Sequence, residues 1–211
     1  MAAPVPVLCD GPGHARTKVV LAHGAGAGME HSFLATVAQG LAAAGFAVVR
    51  FEFPYQHEAR TGPRRAPDRL PVLQATMREV VLHHARAPIV LAGKSMGGRV
   101  ATTIADELGV AGVVVFGYPF HPPKRPAQLR TAHLEHLQTR TLILQGERDP
   151  FGTRADVAGY KMSPQIEVVW FADGDHSLAP RQRSGFLPAL HLQTAIERTV
   201  AFVREMTGDA R

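Results

Sequence analysis

A serine hydroxyl attacks carbonyl groups only when a neighbouring base removes its proton and a third group holds that base in place. The chain carries candidates for all three. Residues 88–99 read Pro-Ile-Val-Leu-Ala-Gly-Lys-Ser-Met-Gly-Gly-Arg. This is a G-x-S-x-G pattern at Gly93, Ser95 and Gly97, with strand-like residues before it and helix-like residues after it. On a sharp strand-to-helix turn the Ser95 hydroxyl projects over the sheet edge, and glycines at 93 and 97 leave out side chains that would collide across the turn. The helix that follows aims free N–H groups, and the positive end of its dipole, at charge developing near Ser95. Further on, Gly-Glu-Arg-Asp-Pro-Phe-Gly at 146–152 puts Asp149 just beyond one strand, and Ala-Asp-Gly-Asp-His-Ser-Leu at 172–178 puts His176 just beyond the next. Ser95 then reads as nucleophile, His176 as base and Asp149 as the orienting acid. Each also has a plainer use: Asp149 before Pro150 suits a turn, His176 could pair with Asp173 or Asp175, and Glu147 competes as the orienter.

Acyl transfer needs two N–H donors for the oxyanion. The residue after the nucleophile, Met96, supplies one. The loop His-Gly-Ala-Gly-Ala-Gly at 23–28 supplies the other at Ala25, with Gly26 as the next choice, because its glycines let backbone approach a tetrahedral centre closely. Lys94, Arg99 and His23 border these segments and are the candidates for contact with substrate. The cations Lys94 and Arg99, with Arg148 beside the acid, favour a substrate group bearing carboxylate or phosphate, unless they pair instead with Glu30, Glu52 or Asp106.

Other chemistries fit less well. Gly93-Lys94-Ser95 resembles the end of a phosphate-binding G-x-x-x-x-G-K-S loop, but the position that must be glycine is Pro88, and the residues between are strand material. The glycines at 24, 26 and 28 suggest a dinucleotide fingerprint, with Glu52 in the place of its ribose-binding acid, but Met29 stands where the third glycine belongs. His83 and His84 are adjacent on a helix and point apart, so no metal site is expected.

These residues require a scaffold that delivers several loops to one edge. Short apolar, β-branched runs at residues 18–23, 46–53, 89–92, 112–117, 141–145 and 166–171 alternate with helical patterns at 31–44, 71–87, 96–108, 127–137, 153–162 and 188–206. That alternation predicts an α/β fold, a mostly parallel sheet of six or more strands with helices on both faces. Residues 54–70 and 118–130 read as long irregular stretches that follow strands, where open α/β sheets bind ligands. Residues 1–17 read as poorly structured or as a short edge strand of one 211-residue domain.

The segments at 23–28, 93–99, 146–152 and 173–176 resemble the α/β-hydrolase superfamily, in its small cap-less dienelactone-hydrolase-like branch. They are also similar to the hydrolase-like domain of testis-expressed and NSL-complex subunit proteins. The resemblance runs from about Lys18 onward. It implies a minimal α/β-hydrolase fold without a cap domain, a Ser95-Asp149-His176 triad in that superfamily's chain order, and an oxyanion hole from Ala25 and Met96. Dienelactone hydrolase itself uses a cysteine nucleophile, so its substrate does not carry over to Ser95. Some relatives act as interaction modules, so a catalytically silent protein-binding module is the alternative to an esterase or thioesterase.

Composition narrows the rest. With 45% hydrophobic residues over 211 positions the chain can bury a full core, and its apolar runs are too short to span a bilayer. The first ten residues lack a basic and apolar leader, which points to the cytoplasm, and the single cysteine, Cys9, reads as incidental. Net charge is +5, and four of the 23 basic residues are lysines. The arginine cluster at 60, 64, 65 and 69 has no aromatics interleaved as a single-strand nucleic-acid platform requires. No nucleic acid, membrane, metal or cofactor is expected, and the expected partner is a small acyl ester.

Overall fold

Strands that are apolar at every position need cover on both sides, and the helices supply it. A computed structural model describes residues 5–84 and 87–209. Its seven strands are β1 (Val7–Asp10), β2 (Lys18–Ala22), β3 (Ala47–Phe51), β4 (Ile89–Lys94), β5 (Gly112–Phe116), β6 (Thr141–Gly146) and β7 (Ile166–Phe171). The helices are α1 (Ser32–Ala43), α2 (Pro54–Glu58), α3 (Leu70–His84), α4 (Met96–Leu108), α5 (Arg154–Val157) and α6 (Pro188–Thr207). The strands form one sheet in the order β1-β3-β2-β4-β5-β6-β7, parallel except for β1. All five residues of β5 are buried.

The period of two along each strand sorts side chains into two cores. Val20, Leu91, Val113, Val115 and Ile143 point to the layer of α3 and α4. Val19, Leu21, Val90, Val114 and Leu144 point to the layer of α1 and α6. This is the α/β-hydrolase architecture without a cap.

Order along the chain reverses direction between β2 and β4, which lie side by side. Their carboxyl ends therefore open a crevice with no crossover helix above it, the place where such sheets bind ligands. The loop at 23–28 follows β2 and Ser95 follows β4, so both arrive there.

Several expected boundaries move. The helix expected at 127–137 is only a 3₁₀ turn at Ala132–Glu135. The Asp106 carboxylate accepts from the N–H groups of Gln138 and Thr139 at 2.7–3.1 Å and holds that backbone out of helix. The helix expected at 153–162 stops at Val157, although Thr153 and Asp156 form a reciprocal cap at its start. Within the expected irregular stretch at 54–70, Pro54 starts the short α2, which Tyr55 anchors in the core and Asp68 holds through the Tyr55 N–H at 2.9 Å. Of the last positions expected for the second helix, 85 and 86 lie outside the described residues, as do 1–4, and Ala87 is not helical. Strand β1 exists because Arg50 of β3 reaches across it: the guanidinium donates to both Asp10 oxygens at 2.8 and 3.0 Å and to the Met29 carbonyl at 2.8 Å.

Candidate active site

Between β4 and α4 the backbone turns at a single residue, Ser95, with φ 51° and ψ −113°. A side chain tolerates such angles only where its surroundings hold it there, at a cost of about 1–3 kcal/mol. Here the Ser95 N–H donates to the Phe116 carbonyl at 3.0 Å, and its own carbonyl takes the Arg99 N–H at 2.9 Å. A Cβ on Gly93 would collide with the backbone of Gly97 and Gly98, and one on Gly97 would collide with that of His23. Of the four described non-glycine residues with left-handed backbone, Ser95, Asp173 and Leu178 belong to this turn or to the loop that carries His176.

That loop delivers the imidazole onto the serine. His176 Nε2 lies 2.8 Å from Ser95 Oγ, and Nδ1 lies 2.7 Å from Asp149 Oδ2. With the carboxylate on Nδ1, that nitrogen carries the proton, and Nε2 is left to accept from the serine hydroxyl. Asp149 is fully buried. Its Oδ1 accepts from the Phe151 N–H at 2.8 Å and its Oδ2 also accepts from Gln145 Nε2 at 2.8 Å, so the buried carboxylate is saturated. The Phe151 ring lies 4.3 Å from the imidazole, centroid to centroid.

The competing partners are engaged elsewhere. Glu147 pairs with Arg154 at 2.9 Å, and Asp173 pairs with Arg148 and Arg181. Asp175 folds its own loop by accepting from the Ser177 and Ala179 N–H groups at 2.7 and 3.0 Å.

Gln145 is a site residue that sequence reasoning missed. Its amide spans the Tyr118 N–H at 2.7 Å and Asp149, and so ties β6 to the loop after β5. The signal is faint: one amide side chain directly after the apolar run Leu142–Leu144.

The candidates for substrate contact fall into three situations. His23 is fully buried, donates from Nδ1 to the Gly24 carbonyl at 2.7 Å and accepts the Phe53 N–H at Nε2 at 3.1 Å. It packs against Phe53 and Tyr55 and lines neither cleft at Ser95, contrary to its expected role, because β2 turns it inward before the glycine loop begins. Burial holds its imidazole below the usual range. Lys94 faces the loop that carries His176: its Nζ donates to the His176 carbonyl at 2.6 Å, and burial pushes it down to about 8 against the pull of Asp149 and Asp175. A Cβ on Gly117, whose φ is 69°, would crowd the same His176 carbonyl and Nδ1. Arg99 opens onto a cleft without a carboxylate partner among the described residues, and its Nε has no hydrogen-bond partner there.

Two clefts of about 810 Å³ each meet at Ser95 and share Ala25 and Phe151. The first holds Gly26, His31, Phe33, Leu34, Lys94 and His176; the second holds Asp68, Met96, Arg99, Pro119 and Arg130. Ala25 and Gly26 are exposed at the rim. Among the described residues no hydrogen bond engages the N–H of Ala25, Gly26 or Met96. Tyr55 steadies the loop by donating to the Gly24 or Ala25 carbonyl, at 3.2 and 3.0 Å.

The rival readings lose their residues here. Glu52 is buried and accepts from the Met29 N–H and from Arg60, so it does not wait for a ribose. Among the described residues no three His, Cys, Asp or Glu side chains converge as a metal requires, and no helix is long and apolar enough to cross a membrane.

Solved structures share the fold at low identity. A lidless α/β serine hydrolase from Xanthomonas campestris matches with a TM-score of 0.66 and 17% identity over 96% of this chain and 87% of its own. An alpha-beta serine hydrolase homologue from Coxiella burnetii matches at 0.67 and 21%, over 95% and 91%. Dienelactone hydrolase from Anabaena variabilis matches at 0.70 and 20%, again over 95% and 91%. The family described as alpha/beta hydrolase domain matches residues 15–204. Strand order, the turn at Ser95 and this match over most of the sequence agree, and the chain belongs to the α/β-hydrolase family.

Proposed function

We propose that the chain is a serine hydrolase of small esters or thioesters that works through an acyl-enzyme. The observation that carries this reading is the unbroken hydrogen-bond chain from the Ser95 hydroxyl through His176 to a fully buried Asp149. His176 Nε2 takes the Ser95 proton as Oγ bonds to the substrate carbonyl carbon. The oxyanion forms against the Ala25 and Met96 N–H groups, with Gly26 as the alternative donor, beside the start of α4. The intermediate then collapses, the bond to the leaving oxygen or sulfur breaks, and His176 returns the proton to it. Water attacks the acyl-enzyme with His176 again as base, releasing the acid and restoring Ser95. Asp149 stays ionised throughout and stabilises the imidazolium, while Gln145 and the Phe151 N–H hold it in place. The sequence needs no added cofactor, and two open clefts without a cap suit short or exposed acyl groups over long lipid chains.

Mass spectrometry after exposure to a fluorophosphonate tests the reading, run beside Ser95→Ala. A single adduct on the wild type, none on the variant, and a loss of short-ester turnover by about 10⁴-fold or more are expected. Turnover retained in the variant, or a folded wild type that neither labels nor turns over esters, would overturn it in favour of a silent binding module.

A further inference from the structure

Charges withdrawn from water are normally paired, as where Arg50 meets Asp10 and the buried Glu52 carboxylate meets Arg60. The second cleft at Ser95 breaks that pattern. Arg99 stands one helical turn beyond Ser95 on α4, and its Nε is buried with no hydrogen-bond partner. Arg130 faces it from the loop after β5. The backbone of Arg130 is fixed there, its N–H donating to the Phe120 carbonyl at 2.8 Å and its carbonyl accepting the Tyr118 hydroxyl at 2.9 Å. Among the described residues neither guanidinium pairs with a carboxylate. Burial, and then the charge of Arg99, pull Arg130 below its usual range. Asp68 shares the cleft but is already engaged by the Tyr55 N–H and Arg65. Two guanidiniums that line one cleft with no carboxylate of their own describe a site for an anion.

The position of His176 decides which half of the substrate carries that anion. The leaving group must lie where His176 Nε2 can protonate it, and His176 lines the first cleft and not the second. The acyl chain therefore runs into the second cleft, toward Arg99 and Arg130. Arg99 is four residues along the helix from Ser95, a rise of about 6 Å, which suits a short chain. Resting on the serine-hydrolase reading, we propose that the Arg99–Arg130 pair binds a carboxylate at the far end of the acyl group, so that the substrates are half-esters of short dicarboxylic acids. Hydrolysis breaks the acyl C–O bond, sends one proton to the alcohol through His176, and releases the dicarboxylate after water attacks.

Phenyl hemiglutarate and phenyl valerate differ at the chain end in charge and test this directly. The wild type is expected to favour the hemiglutarate in kcat/KM by about tenfold or more, and Arg130→Gln or Arg99→Gln to cut that ratio by about ten- to a hundredfold, as loss of a charge-assisted pair does. A wild-type ratio of one or less, or a ratio that neither substitution moves, would overturn the proposal. Calorimetric titration of glutarate at low salt separates this site from the catalytic reading, because it needs no turnover. Binding that both variants lose supports the anion site. Turnover of phenyl valerate without glutarate binding removes the site and leaves the hydrolase. Glutarate binding without turnover of either ester leaves an anion site but removes both the hydrolase and the acyl subsite.

Discussion

Two arginine-bearing irregular stretches leave the carboxyl edge of the sheet, residues 52–69 after β3 and residues 117–131 after β5. In the first, Arg60 bonds Glu52 at 2.6 Å and Glu30 at 2.9 Å, and Arg65 bonds Glu58 at 2.6 Å and lies 3.4 Å from Asp68. Every one of those carboxylates is within the loop or next to the glycine loop it supports, so the charges close the structure on itself. In the second, Arg130 and Arg99 line one cleft, and the ionisable neighbour they share is Tyr118, a phenol rather than a carboxylic acid. The first loop carries four arginines and the second carries two. The nearest carboxylate separates a cation that braces backbone from one that waits for a ligand, and a basic net charge says nothing about which is present.

The largest effect expected from that contrast is on Glu52→Gln. It removes the buried partner of Arg60 and weakens the hold on the Met29 N–H, so urea denaturation should show a loss of about 2 kcal/mol or more. A loss below about 0.5 kcal/mol would mean that the ion pairs do not brace the first loop.

A smaller effect is expected on the acid side of the second loop. Burial, and then the charge of Arg99, push His133 down to about 4 from 6.5, and its Nε2 lies 3.0 Å from the Thr102 hydroxyl. The unfolded chain therefore takes up this proton at higher pH than the folded one, and stability falls as pH drops from about 6.5 toward 4. His133→Asn should flatten the change in urea midpoint between pH 7 and 5, and an equal change in both proteins would exclude this histidine as a source. The smallest effect is on Arg130→Gln, which should leave stability within about 0.5 kcal/mol of the wild type or raise it slightly, since it relieves repulsion with Arg99. A large loss would show that Arg130 braces its loop as Arg60 does.

Much of this arrangement was legible along the chain because it rests on local period. Strand β7 is found at the residues where alternation places it, and α4 begins and ends where the glycines around Ser95 and at 109 put it. Residues 1–17 read as either poorly structured or an edge strand, because Val7–Asp10 is too short to show a period and owes its place to Arg50, forty residues away. The expected helix at 127–137 reduced to one turn for the same kind of reason, a carboxylate from α4 holding Gln138 and Thr139.

The site divides along the same line. Residue type and neighbours alone singled out Ser95, Asp149 and His176, since a strand-to-helix turn and two strand-end loops are written in consecutive residues. Whether those three side chains meet, that His23 turns into the core while Arg99 opens onto a cleft, and that Arg130 shares that cleft with Arg99 depend on contacts between residues 27 to 81 positions apart. Such contacts leave no periodic trace, because what fixes them is the stacking of β2, β4, β5 and β6 side by side and the cost of leaving a buried polar group without a partner.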